Sequence, residues 1–373
     1  MSWEEYRTKG QAAFDTGNHA LCEEFWKKAL EQASSDGGNT LDTATSSLDL
    51  ARLYHAQGKY SVAEEWIDTA LNVRESALGK DHLQLAECFT LLAQNYLNQN
   101  KVSECEQLYK RALQIKEKSL GKDHLEVAET MQELSNLYSA LGKFDECAKM
   151  LEVALAVREK ADPSTIELAN GLKSLARVYR KLGRYADAEK HYTKSLELKE
   201  SILGSDNVQV AESLRSLANN YSYQSKFIEA EPIYRRSLEI YEKLLGPDHP
   251  EVATNIHNLA VLYYKMGRDG EAATLYRRAL EIFASVLGSD HPEVATTLIS
   301  MSKFYEQRGK LDKAEALQRL ALSIFEKKFG SEHRNVAMSL HDLAAVYNAQ
   351  GRGFEAETAR TRAEQIMSKN PAP

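Results

Sequence analysis

Between Leu172 and Leu196 the apolar residues keep a helical spacing. Leu172, Leu175, Ala176 and Tyr179 fall at i, i+3, i+4 and i+7, a single stripe along one helix face. Gly183 then interrupts the pattern, as a residue that tolerates the left-handed conformation does at a helix C-terminus. A second stripe of Ala188, Tyr192, Ser195 and Leu196 predicts a second helix, so the whole stretch predicts a helical hairpin. The same grammar returns in 258–283, NLAVLYYKMGRDGEAATLYRRALEIF, and in 91–116, LLAQNYLNQNKVSECEQLYKRALQIK. Gly58, Gly142, Gly267, Gly309 and Gly351 share the Gly183 slot, and Asn100 takes it once. Ala44, Ala86, Ala128, Ala169, Ala211, Ala253, Ala295 and Ala337 open equivalent segments 42 residues apart, except for 41 between Ala128 and Ala169. A hairpin this small cannot bury its own apolar faces, so it must stack on its neighbours.

A phrase punctuates the repeats: LGPDHPEVA at 245–253 and LGSDHPEVA at 287–295. His82, His124, His249, His291 and His333 occur in it once per repeat, with Glu126, Glu251 and Glu293 two residues on. A metal site needs several ligands converging on one point, and these pairs are spread one repeat apart. The phrase instead has the signature of a helix start. Asp248 is expected to cap free amides, Pro250 suits the first turn, and Glu251 favours the positive end of the helix dipole. Leu245 and Val252 are expected to bury the apolar side of the turn. The cysteines follow the register too: Cys22, Cys105 and Cys147 occupy the slot that holds Ala63, Ala188, Ala230, Ala272, Ala314 and Ala356 elsewhere, and serve as small hydrophobes. Cys88 lies in a first helix, with no histidine in register. Near the C-terminus Tyr192, Tyr234 and Tyr276 give way to Gln318 and then Arg360, which predicts a polar cap.

Composition narrows the function. With 43% hydrophobic and 27% charged residues the chain folds, and a net charge of −7 argues against coating nucleic acid or anionic membrane. The N-terminal MSWEEYRTKGQAAF lacks the basic and apolar segments of a signal peptide, and no apolar run is long enough to span a membrane, so a soluble, cytoplasmic protein is expected. GxxxxGK[ST], GxSxG, HExxH and GxGxxG are all missing from the sequence. A binding scaffold without catalytic residues, metal or cofactor is the expectation.

The hairpin grammar, with a small residue and Tyr in the first helix, Gly at the turn, then Ala and an aromatic in the second, resembles the tetratricopeptide repeat. The 42-residue period with LGxDHPxVA between units is similar to the variant in kinesin light chain and its bacterial relatives. The resemblance covers essentially the whole chain and includes a more ordinary first unit, Gly10 to Leu30 with Gly17 at the turn. It implies an all-α, right-handed superhelical solenoid of about nine hairpins over 1–373: one in 1–40, three in 41–160, four in 161–330, and a last hairpin with its cap in 331–373. It implies neither a motor partner nor a coiled coil, since no heptad segment precedes the repeats. KADPSTIELA replaces the joining phrase at 160–169, read either as a joint that separates two halves or as a tolerated loop deletion.

In such arrays the first helices line the concave face, which selects four positions per repeat. In the first half these are bland: Leu48, Arg52, His55 and Ala56; Thr90, Gln94, Leu97 and Asn98; Gln132, Asn136, Ser139 and Ala140. The next repeats carry Lys173, Arg177, Arg180 and Lys181; Arg215, Asn219 and Tyr223; His257, Tyr264 and Lys265; and Lys303, with Glu306 opposing. Like charges four apart, such as Lys173 and Arg177, repel in a helix, so an anionic partner is the expected reason for them. Arg215 with Asn219 resembles the pair by which some tetratricopeptide domains hold a peptide carboxylate and backbone. Elsewhere Arg177 and Val261 replace that asparagine, which favours an internal acidic segment over a C-terminal carboxylate. The expected partner is thus a protein or peptide with an extended acidic segment, Tyr223 and Tyr264 stacking on an anchor residue. A sensor arm of a larger assembly and a single-stranded RNA-binding repeat are the alternatives at this stage, the second disfavoured by net acidity; the oligomeric state stays open.

Overall fold

The computed structural model describes residues 1–35 and 41–369. The boundary expected at residue 40 and the last residues of the expected cap, 370–373, lie outside the described residues. The chain divides into two compact units, Met1–Pro163 and Ser164–Pro373. The first contains α1 (Trp3–Asp15), α2 (His19–Ser35), α3 (Leu41–Ala56), α4 (Tyr60–Leu78), α5 (Leu83–Asn98), α6 (Val102–Leu120), α7 (Leu125–Ala140) and α8 (Phe144–Ala161). The second contains α9 (Ile166–Lys181), α10 (Tyr185–Leu203), α11 (Val208–Tyr223), α12 (Phe227–Leu245), α13 (Pro250–Lys265), α14 (Asp269–Leu287), α15 (Pro292–Gln307), α16 (Leu311–Phe329), α17 (Arg334–Ala349) and α18 (Gly353–Lys369). Odd-numbered helices are the first helix (A) of each hairpin and even-numbered ones the second (B), so each unit is an all-α stack of hairpins.

Small residues bring the helices together and large ones fill the gaps between hairpins. In the second unit Ala218, Ala230, Ala260 and Ala272 are fully buried, and Tyr234, Tyr263, Tyr276 and Phe304 pack over them. In the first, Ala13, Cys22, Leu50, Leu53 and Ala63 surround Trp26. Gly10 is required there, because a Cβ at this position would stand 2.2 Å from the Trp26 ring. Cys22, Cys105 and Cys147 are buried in the small-residue slot, as expected. Burial raises the Cys22 thiol to about 12 and the Cys88 thiol to about 11, so both stay protonated and unreactive.

Two expectations are corrected. The A helices are capped not by the aspartate of the joining phrase but by its histidine: His249 Nδ1 accepts from the Glu251 backbone N–H at 3.1 Å, and His82, His124, His291 and His333 do likewise. Pro250 occupies the first helical position, which leaves Asp248 one residue too early to cap. Thr165 and Asn207 replace the histidine at α9 and α11. Gln318 is not a polar cap: it is 1% exposed and donates to the Ser339 carbonyl at 3.1 Å.

Neighbouring hairpins are fastened by a repeated clamp. A B-helix glutamate accepts from the hydroxyl of a tyrosine and from a basic residue, both one repeat on, and the basic group lies over the tyrosine ring. Glu231 accepts from Tyr263 at 2.8 Å and from Arg268 at 2.7 Å, with Arg268 3.9 Å above the ring centre. Glu64 with Tyr96 and Lys101, Glu106 with Tyr138 and Lys143, and Glu189 with Tyr221 and Lys226 repeat it. Ala273 occupies the glutamate slot in α14, where Asp269 holds Arg308 instead, and Ala148 occupies it in α8.

Two predictions follow from turn and clamp. The slot of Gly183 holds Ser225 at φ 60°, a left-handed conformation that a Cβ disfavours. Ser225→Gly is expected to stabilise the chain by about 0.5–1 kcal/mol, the relieved strain less the added chain entropy, read as a higher thermal midpoint. Hydrogen bonds from Lys110 and Lys143 hold the Glu106 carboxyl at about 2, below its ordinary 4.5. A carboxylate depressed in the folded state contributes stability that is present above about 4.5 and lost as pH falls toward about 2. Denaturant titrations across that window are expected to show a shallower acid loss in Glu106→Gln than in the wild type.

Candidate functional site

The A helices α9, α11, α13 and α15 carry the residues singled out above. The first group that the fold brings together centres on Tyr223, which is 56% exposed at the end of α11. Arg180 lies 4.9 Å from its centre from α9, Lys265 lies 5.8 Å away from α13, and Tyr185 stacks on it at 6.3 Å with an interplanar angle of 8°. A cation over an aromatic face is attracted by the ring quadrupole, so Tyr223 holds two positive groups on an open surface. Arg177 and Lys181 are exposed on the same helix as Arg180. Among the described residues Arg177, Arg180, Lys181 and Lys265 form no ion pair.

The second group is a pocket of about 140 Å³ between α9 and α11, lined by Lys173, Ser174, Arg177, Arg180, Tyr192, Glu212, Ser216 and Asn219. Lys173 Nζ donates to Glu212 at 2.8 Å. Burial pushes the Glu212 carboxyl up, but Lys173, Lys199 and Arg215 together hold it below its ordinary value. Asn219 Oδ1 accepts from the Tyr234 hydroxyl, which leaves the amide NH2 as the donor available to a ligand. Beside this pair, Lys199 of α10 is completely buried, and its Nζ has no hydrogen-bond partner. Burial, reinforced by Lys173 and opposed by Glu212, lowers this ammonium to about 8.

Other expected residues are placed elsewhere. Arg215 is turned inward, donating to Glu251 at 2.5 Å and lying 5.3 Å from the Tyr241 ring centre. Lys303 pairs with Asp342 at 3.0 Å. His257 is packed edge-on against Tyr276, and burial lowers its imidazole to about 4, so it is no groove cation. Tyr264 is half-buried against Phe304 with Arg308 over its ring, less available than Tyr223. The expected row of cations thus becomes a tighter patch around Tyr223, because acids one repeat ahead take up Lys173, Arg215 and Lys303. Looking 39 residues ahead of Lys173 and Lys303 would have located Glu212 and Asp342.

The A-helix face of the first unit, expected to be bland, holds an ion network. Arg52 reaches Asp49 at 3.2 Å and also Glu87, while buried Arg74 donates to Glu87 at 2.8 Å and to the Gln84 carbonyl at 2.7 Å. A pocket of about 380 Å³ lies there, its charged lining being Arg52, Glu87, Lys116 and Glu126. Each cation of the network has an anion, so the pocket has no comparable excess of positive charge.

Comparison with known proteins agrees with this architecture. The sequence model of the tetratricopeptide repeat matches residues 6–76, 62–118, 98–160, 167–243, 218–285, 257–327 and 293–369. Among solved structures, BtubC (BKLC) from P. vanneervenii is 23% identical with a TM-score of 0.51, covering 62% of this chain and 94% of that one. The apo form of RapI is 14% identical with a TM-score of 0.74, covering 99% of each chain. A Rap protein complexed with competence and sporulation factor is 16% identical with a TM-score of 0.54, covering 98% of each chain. At these identities the likeness is one of fold. No curated protein sequence matches the chain. No helix among the described residues is long and apolar enough to cross a membrane.

The buried Lys199 has a measurable consequence for stability. Its folded value of about 8 lies below its ordinary 10.5, so the unfolded chain binds more protons between the two. The destabilisation is therefore fully present below about pH 8 and disappears as pH rises toward 10.5. Lys199→Met is expected to stabilise the chain at pH 7 by on the order of 2 kcal/mol. Paired denaturant curves at pH 7 and pH 10 check this, the advantage shrinking at the higher pH.

Proposed function

The chain belongs to the tetratricopeptide repeat family, and on that premise we propose that it is a peptide-binding scaffold whose A-helix face over α9, α11 and α13 receives an extended acidic segment of a partner protein. The observation that carries the reading is Tyr223 between Arg180 and Lys265. Two cations fixed against an exposed ring present both a field for carboxylates and a flat surface for an apolar or aromatic side chain. Arg177 and Lys181 extend the field along α9, and in this reading the Asn219 amide, whose oxygen already accepts from Tyr234, donates to a backbone carbonyl of the segment. Arg215, Lys303 and His257 do not enter as direct contacts in this reading; the first two are held by Glu251 and Asp342, and the third is half-buried against Tyr276 and uncharged. The Rap protein complexed with competence and sporulation factor supports the reading as a chain of this fold that holds a factor.

Binding should be electrostatic in the rate and salt dependence it shows. Fluorescence anisotropy with a degenerate pool of Asp- and Glu-rich dodecapeptides is expected to show binding that weakens with added salt. Arg177→Glu combined with Lys265→Glu is expected to weaken it by at least about tenfold, a loss of about 1.4 kcal/mol. Equal affinities for the wild type and the reversed variant would remove the proposal.

A further inference from the structure

The small pocket between α9 and α11 carries more positive charge than one carboxylate can use. Its volume of about 140 Å³ is well below the roughly 300–1,000 Å³ typical of a small-molecule site, so it accepts a single compact group. Three cations, Lys173, Arg177 and Arg180, face one acid, Glu212, with Ser174 and Asn219 as neutral polar groups. Two donors nearby are buried and unsatisfied: Arg180 Nε and Lys199 Nζ. A buried donor without an acceptor costs free energy that an arriving acceptor returns.

The slot of Lys199 is instructive. In the three following B helices it holds Tyr241, Phe283 and Phe325, all buried aromatic rings. In the three earlier ones it holds Arg74, Lys116 and Arg158, the first two with acid partners, Glu87 and Glu126, and the third half-buried. Lys199 is completely buried, and its ammonium has no hydrogen-bond partner. The acid whose charge acts on it, Glu212, already accepts from Lys173.

From this charge, size and pattern of unpaired donors we propose that the pocket receives a phosphorylated serine or threonine side chain of the bound segment. The proposal rests on the peptide-binding reading of the same face and specifies one residue of the ligand. A phosphate monoester brings close to two negative charges and three acceptor oxygens, whereas a carboxylate brings one charge and two oxygens. The Arg177 and Arg180 guanidinium groups suit planar, paired donation to such oxygens, and Asn219 supplies a neutral donor. The dianion also competes with Glu212 for Lys173, and its field favours the charged form of Lys199, which feels the charges of both.

The full chain is titrated with three degenerate pools of acidic dodecapeptides that differ only at the central residue: phosphoserine, glutamate or serine. The phosphoserine pool is expected to bind at least about tenfold tighter than the glutamate pool at equal ionic strength. That preference is expected to fall toward unity in Arg177→Ala and in Lys199→Met. At pH 8.5 the phosphate is already dianionic, so calorimetry in two buffers of different ionisation enthalpy is expected to register proton uptake by the wild type and none by Lys199→Met. Equal affinity for the phosphoserine and glutamate pools overturns this assignment and leaves the peptide reading standing. Failure of all three pools overturns both. A phosphoserine preference that survives both substitutions, with no proton uptake by the wild type, overturns the placement of the phosphate in this pocket.

Discussion

A hairpin with two apolar faces has to be held at a fixed angle to the next, and hydrophobic contact alone is too forgiving of direction to do it. The glutamate clamp supplies the direction. Glu231 can accept from Tyr263 and Arg268 at once only if the following hairpin presents its A helix and its turn together. The basic group stacks on the very ring whose hydroxyl the glutamate accepts, so one acid fixes a helix and a turn. The positions along α9, α11 and α13 that surround Tyr223 inherit their spacing from this fastening. Arg180 and Lys265 come from different repeats, and no feature of either helix alone would bring them to the same ring.

Much of the fold was legible because helical periodicity and the 42-residue interval report burial directly, and burial dominates in a stack of amphipathic hairpins. The cap shows a finer limit. Asp248 has the better capping chemistry, yet the helix begins one residue too late for it, and His249 caps as His82, His124 and His333 do where Leu or Arg stands in the proline's place, so position overrides preference. Gln318 teaches the same lesson. Its polarity suggested exposure, but the slot it shares with Tyr276 is buried, and a polar side chain in a buried slot finds its partner inside.

At the candidate site the register led to Lys173, Arg177, Arg180 and Asn219, and the structure places them around one pocket. It did not lead to Glu212, Glu251 or Asp342, because counting charge helix by helix ignores acids on the next helix. Lys199 escaped for a different reason. A lysine on a B helix reads as a solvated charge, and only the aromatic residues in its slot further along mark that position as interior.

Repetition carries a hazard that Gln318 addresses. Clamps, caps and turns of near-identical geometry give one hairpin little means of telling its proper neighbour from another of its kind. Gln318 donates to Ser339 of the following hairpin, whereas Tyr192, Tyr234 and Tyr276 hold the equivalent slot earlier in the same unit. A tyrosine in that slot would bring no amide to the Ser339 carbonyl and hydroxyl, so the pairing belongs to this junction. Interior amides thus set particular junctions apart: Gln318 with Ser339 marks this one, as the buried Asn255 amide donating to Ser237 marks another.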